Sequence, residues 1–313
     1  MDPATYLPLA ASGLLWLFGA RMGRWLPPAT AVWLLSLAAL VTALATGFVL
    51  SIAGFDVLVQ VPGVAAFGHW SPQELRMSGT VPVAAGVLAG VTVLVLLASS
   101  LHRVAHAVRD LATATILCQR LGPSAGRLVV VDAPRADAFA LPGFSGKVVV
   151  TRAMMKALTA DERRVLLAHE MAHLRHRHHF YIEIAELAAS ANPFLRPLAP
   201  AVRTAAERAA DEMAAAEVAD RPLAARALAR AGLARAATRS ATCSAMPAAA
   251  LAAVEASVAD RARALLAPPP RSRPALVAAV AVMMLLTTAS TAWTAHTTEH
   301  RFEQAHTLTA TEQ

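Results

Sequence analysis

The sequence predicts a mainly α-helical membrane protein: four transmembrane helices, with an α+β domain set between the third and the fourth. Composition is the first reason. Of 313 residues, 56% are hydrophobic and 16% charged, with a mean hydropathy of +0.49, against roughly 45–50% apolar and about 25% charged in soluble domains. The second reason is that the surplus is uneven, with long windows free of charge while Arg and His crowd the middle of the chain. The third is a pair of short β-branched runs, RLVVVD and KVVVT, lying between helical patterns in that polar middle.

A spanning helix needs about 20 mostly apolar residues, and the windows 5–20, 29–55, 80–101 and 274–296 approach or exceed that. The first window ends at Arg21 and Arg24, before the break at Pro27-Pro28. Asp2 precedes it and the basic residues follow it, the reverse of a secretory signal peptide, so it reads as a span. Arg21, Arg24, Arg103, Arg109, Arg120, Arg271 and Arg273 all fall in the first connection or in the stretch 102–273, whereas the loop 56–79 and the tail 297–313 each hold one Arg. The positive-inside bias then places both termini outside the plasma membrane, the domain 102–273 in the cytoplasm, and 297–313 as a short extracytoplasmic tail. Trp16, Trp25 and Trp293 fall near the expected interfaces.

The net charge of +7 raises the question of nucleic acid. No motif of that class is present, and the topology bias and attraction to anionic lipid account for the basic residues, so no direct nucleic-acid binding is expected. Cys118 and Cys243 have neither metal-type spacing nor a disulfide pattern.

Within the domain, Arg127–Asp132 and Lys147–Thr151 read as strands, and the turn-rich segment between them leaves a hairpin or a wider loop open. Thr159-x-x-Glu162 is a capping box that opens a helix, expected to run on through His179. A break follows at Asn192-Pro193, then a helix over about 201–218 and an Ala- and Arg-rich helical stretch from Arg221 to Leu266.

That first helix contains His169-Glu170-Met171-Ala172-His173, an HExxH sequence. Residues i and i+4 share a helix face, so both imidazoles can reach one Zn²⁺, and Glu170 can act as general base on the water that the metal activates. Such a match arises by chance on the order of 1% of the time in a chain of this length. A catalytic zinc needs three protein ligands. Glu207 is the candidate third, and Asp211, one turn later, can hold a ligand histidine by its other ring nitrogen.

The rivals to Glu207 fail on spacing. His179 sits where HExxHxxGxxH places its third histidine, but His176 replaces the turn glycine. On an unbroken helix His179 lies about 9 Å beyond His173, and Glu183 and Glu186 roughly 15 Å or more. Glu212 points about 140° away from Glu207 on its helix. His176, His178 and His179, interleaved with Arg175 and Arg177, read as a solvated basic helix end. Arg203, one turn before Glu207, is a candidate to stabilise an oxyanion, and Phe139–Gly143 a candidate border of a substrate cleft.

The order of three apolar spans, HExxH, Asn192-Pro193-Phe194, Glu207-x-x-x-Asp211, the SVADRARALL segment and a last span resembles the BlaR/MecR family of membrane metallopeptidases. The runs DAFALPG, VVVTRAMMKAL and HEMAHLRHRHH are also similar to the HtpX and CAAX-prenyl-protease family. Both are gluzincins. The resemblance implies a cytoplasmic zincin-like domain with one Zn²⁺ on His169, His173 and Glu207, and catalysis by Glu170. It implies a protein substrate: a winged-helix transcriptional repressor of the BlaI/MecI type, and the chain itself as a second substrate. The family's antibiotic sensors carry a penicillin-binding domain after the last span. Here a short tail follows and no Ser-x-x-Lys motif occurs, so covalent β-lactam sensing is not expected. The alternatives are a quality-control protease of membrane proteins and a catalytically inactive scaffold, the latter disfavoured by the presence of Glu170.

Overall fold

A computed structural model describes residues 3–68, 81–120, 127–143, 146–240, 248–269 and 271–311. The chain opens with α1 (Leu7–Trp25), α2 (Pro28–Leu58), α3 (Pro62–Gly68) and α4 (Val83–Arg120). Pro28 begins α2 at the first helical position, where a missing N–H goes unneeded. Helices α2 and α4 cross at glycine. A Cβ on Gly54 would meet Gly90 Cα at 2.8 Å, and one on Gly86 would meet the Ala53 carbonyl at 2.8 Å. Such small residues let two backbones approach without the driving force that water supplies.

Among the described residues, three helices are long and apolar enough to cross a membrane: Pro28–Leu58, Val83–Arg120 and Pro274–Glu303. The first expected window forms α1, which is not among them. Arg21, Arg24 and several glycines dilute its apolar content. The third window is continuous with the domain, because α4 passes residue 101 without a break and ends at Arg120.

The strands β1 (Leu128–Val131), β2 (Ala138–Leu141) and β3 (Lys147–Thr151) form one sheet in the order β1–β3–β2. β1 runs parallel to β3, and β2 antiparallel to it, with Ala138 opposite Val150 and Leu141 opposite Lys147. The segment left open as a hairpin or loop therefore holds an edge strand. Ala138 and Leu141 are buried, in separate apolar clusters, while Phe139 is exposed.

A short helix, α5 (Arg152–Ala157), leads to α6 (Ala160–Arg175). The capping box forms: Glu162 N–H donates to Thr159 Oγ1 at 3.4 Å, and Thr159 N–H to Glu162 Oε2 at 2.9 Å. The helix expected through His179 instead stops at Arg175, and Arg177 adopts a left-handed conformation at φ 51°. That conformation costs a non-glycine residue on the order of 1 kcal/mol. It redirects the chain into α7 (His178–Ala191), whose Ala185, Ala188 and Ala189 are buried against the spans. Burial of that face offsets the strain.

At Asn192 the chain turns through Pro193–Leu195 into α8 (Leu198–Val218). Helices α7 and α8 form a hairpin seated against α1, α2 and α4. Leu15 of α1, Leu35 of α2, Ala188 of α7, Leu198 and Val202 of α8 and Val280 of the last helix share one buried core. A Cβ on Gly19 would meet Leu198 Cδ1 at 2.6 Å, so α8 rests directly on the backbone of α1. Beyond it, the Ala- and Arg-rich stretch forms two antiparallel helices, α9 (Arg221–Ser240) and α10 (Ala248–Leu266), in contact at Gly232 and Val258. The final helix, α11 (Pro274–Thr311), runs well past the expected span. Its Arg301 meets both carboxylate oxygens of buried Asp56 at 3.2 Å, which fixes that end of α11 to the end of α2.

Candidate active site

Helix α6 presents His169 and His173 one turn apart, and α8 faces it with Glu207 and Asp211. The two Nε2 atoms lie 3.2 Å apart. Glu207 places Oε2 3.8 Å from His169 Nε2 and Oε1 3.6 Å from His173 Nε2. One donor atom from each of the three lies within 4.8 Å of the others. Tetrahedral zinc bonds near 2.0–2.1 Å require donors about 3.4 Å apart, so the spacing and the two-imidazole, one-carboxylate chemistry both suit that ion.

Each histidine is held by its other nitrogen. Asp211 Oδ1 lies 3.0 Å from His169 Nδ1, and His178 Nδ1 lies 3.1 Å from His173 Nδ1. Arg261 of α10 binds Asp211 through two contacts of 2.7 Å and reaches Glu207 at 2.8 Å. Burial would raise the Asp211 carboxyl, but hydrogen bonds from Arg261 and His169 outweigh it and hold the group at about 2. Burial also opposes charge on His169, yet the Asp211 contact prevails and raises it. His173 falls to about 3, first through burial and then through the positive charges of His169 and Arg261. It is therefore neutral at physiological pH, the state a metal ligand requires.

Glu170 is buried, and that burial pushes its carboxyl above the usual range. It lines a cleft of about 310 Å³ with His169, His173, Glu207, Arg203 and the β2 residues Ala138–Ala140. Arg235 of α9 also lines it, donating to Asp137 Oδ1 at 2.9 Å and to the Ala138 carbonyl at 2.7 Å, with Glu170 Oε1 at 3.9 Å.

The structure thus brings together His169, Glu170, His173, Glu207 and Asp211. The rivals lie elsewhere: Glu183 pairs with Arg103 at 2.6 Å, Glu186 with Arg203 at 2.8 Å, and Glu212 with Arg221. His179 borders the cleft but stands outside the donor cluster. The distance argument against it assumed an unbroken helix, and the turn at Arg177 removes that assumption. The solvated reading of the histidine run fails for His178, which is only 2% exposed. Arg261 and Arg235 had no individual signal, although Arg261 lies in the SVADRARALL segment.

Comparison with known proteins matches residues 98–272 to Peptidase family M48. The chain is also similar to a protein called Protease HtpX homolog from Thermoplasma acidophilum, 43% identical over 47 residues. That match covers 15% of this chain and 15% of the relative's length. No solved structure matches.

Proposed function

The chain belongs to peptidase family M48, whose members are zinc-dependent metalloproteases, and from that premise we propose that it is a membrane-embedded zinc endopeptidase. The observation that carries the reading is the convergence of His169, His173 and Glu207 donors across the cleft, beside a buried Glu170. In this reading those three residues hold one Zn²⁺. The ion supplies a Lewis acid for the scissile carbonyl and makes water acidic enough to attack near neutral pH.

The protein's own groups do the rest. Glu170, its affinity for a proton raised by burial, accepts the proton of the attacking water on a carboxylate oxygen and passes it to the departing amine. Asp211 and His178 fix the imidazole planes, and Arg261 locks Asp211 and Glu207 in register. A peptide lying along the edge of β2 is carried past Glu170 as an added strand. Arg203 and Arg235 line the same cleft, where a cation stabilises charge growing on the carbonyl oxygen.

The four-span topology belongs to the same proposal, with both termini outside and 102–273 cytoplasmic. Leu14, Trp16, Leu17 and Phe18 of α1 are exposed, as lipid-facing side chains are. For the substrate, the segments shared with the BlaR/MecR type favour a cytoplasmic repressor, with self-cleavage beside it. The local match to an HtpX homologue favours instead a broader membrane protease.

The test is Glu170→Gln in the full-length protein. Hydrolysis of a peptide substrate should fall by about 10²–10⁴-fold, the contribution of a general base, while zinc content stays at the wild-type level. Undiminished hydrolysis would remove Glu170 from the mechanism. Comparing the proteomes of cells carrying either form separates the substrates: accumulation of one intact repressor supports signalling, and accumulation of many membrane proteins supports quality control.

A further inference from the structure

The catalytic cleft does not end at β2. Past Pro142 it opens into a depression of about 590 Å³ that shares Pro142, Leu174 and His179 with the cleft. Three cations stand in its wall: Arg127 just before β1, Arg175 at the end of α6, and Arg177 in the turn to α7. Among the described residues, no acidic side chain lines it. Arg175 is joined to Glu217 at 3.4 Å, but both side chains are more than half exposed, so that pairing holds little of the charge. Arg127 and Arg177 make no ion pair among the described residues.

The position of Arg177 adds an independent observation. It occupies a left-handed backbone conformation that glycine would accept without strain. The chain carries a guanidinium there, in the wall of a depression that adjoins the cleft, despite the local cost. Leu111, Leu174 and Phe180 supply apolar walls beneath the charges, a combination suited to a peptide side chain with an apolar stem and an anionic end.

We infer that this depression is an acidic-residue subsite, in which Arg127, Arg175 and Arg177 select substrates bearing Asp or Glu a few residues to one side of the scissile bond. The inference rests on the metallopeptidase reading of the adjoining cleft. A peptide running along β2 at about 3.3 Å per residue would leave the strand at Pro142 and enter the cationic depression next. Continuity with the cleft favours a peptide over an anionic lipid headgroup.

The experiment uses the full-length protein with zinc in nanodiscs of neutral lipid, and a set of quenched fluorogenic peptides in which Glu replaces Gln at each position in turn. Glu should raise kcat/KM by roughly 3- to 10-fold at adjacent positions on one side of the cleaved bond only, and the gain should shrink in high salt. Arg177→Gly, which relieves backbone strain, and Arg127→Gln should each bring the Glu-to-Gln ratio toward one. In parallel, fluorescence anisotropy on the Glu170→Gln protein reads binding without turnover, and the Glu peptide should bind tighter by a similar factor. Equal binding of both peptides, or a preference that survives both substitutions, overturns the subsite. In a second set of nanodiscs doped with phosphatidylglycerol, lipid binding that the variants lose, with no peptide preference, overturns it in favour of lipid. Failure of the wild type to cleave any peptide, with the binding preference intact, counts against the peptidase reading and not against the subsite.

Discussion

At one end of the α7–α8 hairpin, side chains are polar, titratable and tied to one another. At the other they are small and apolar, around a single buried amide. The polar end holds His178 against His173, and Glu207 and Asp211 against His169 and Arg261. The apolar end packs Ala185, Ala188, Leu195 and Leu198 into the span bundle, with Asn192 donating to Ser12 at 2.8 Å and accepting from Phe194 N–H at 3.1 Å. About 20 Å of helix separates His178 from Asn192. The difference teaches that the α7–α8 hairpin joins the polar site to the apolar helices through direct packing. The hairpin that supplies Glu207, Asp211 and His178 also packs into the apolar helix bundle, so that side of the site inherits its rigidity from packing inside the bundle.

If the two ends are distinct in role, mutations should separate them. Asp211→Asn should have the largest effect of three, weakening metal affinity or activity by about 10–100-fold, because an amide keeps one acceptor oxygen but loses the negative charge that Arg261 and His169 share. Metal titration of the purified protein against a competing chelator checks this. His178→Ala should cost about 10-fold in the same titration, since it releases only one nitrogen of a neutral ring. His179→Ala should leave affinity unchanged. Asn192→Ala should do the reverse, costing about 1 kcal/mol of stability in detergent melts while zinc content is retained. If Asn192→Ala emptied the site without lowering the melting temperature, the two ends would not be separable.

Legibility in the sequence follows the range of the interactions. HExxH, the Thr159–Glu162 capping box and the Asn192-Pro193 break are local patterns with fixed spacing, and the chain displays them directly. Glu207 with Asp211 could be named because both lie on one helix, one turn apart. Arg261 was out of reach as a single residue, since it meets Asp211 from fifty residues downstream, and the SVADRARALL segment marked its neighbourhood without assigning it a role. The turn at Arg177 carries neither glycine nor proline, so the helix seemed to continue, and the burial of His178 depends on that turn. β2 was hidden by its setting: four residues among Pro, Gly and Asp, stabilised by pairing with β3 rather than by a pattern of their own. The shared core of hairpin and spans had a faint signal in the apolar face of α7, which the expected soluble domain did not require.

The central claim is that one zinc is held by two helices, α6 and α8, and not by α6 with the turn that follows it. Zinc content of the purified full-length protein, measured by mass spectrometry for wild type, Glu207→Ala and His179→Ala, tests it most directly. The account predicts one zinc per chain in wild type and in His179→Ala, and none in Glu207→Ala. Zinc lost with His179→Ala and retained with Glu207→Ala would contradict it.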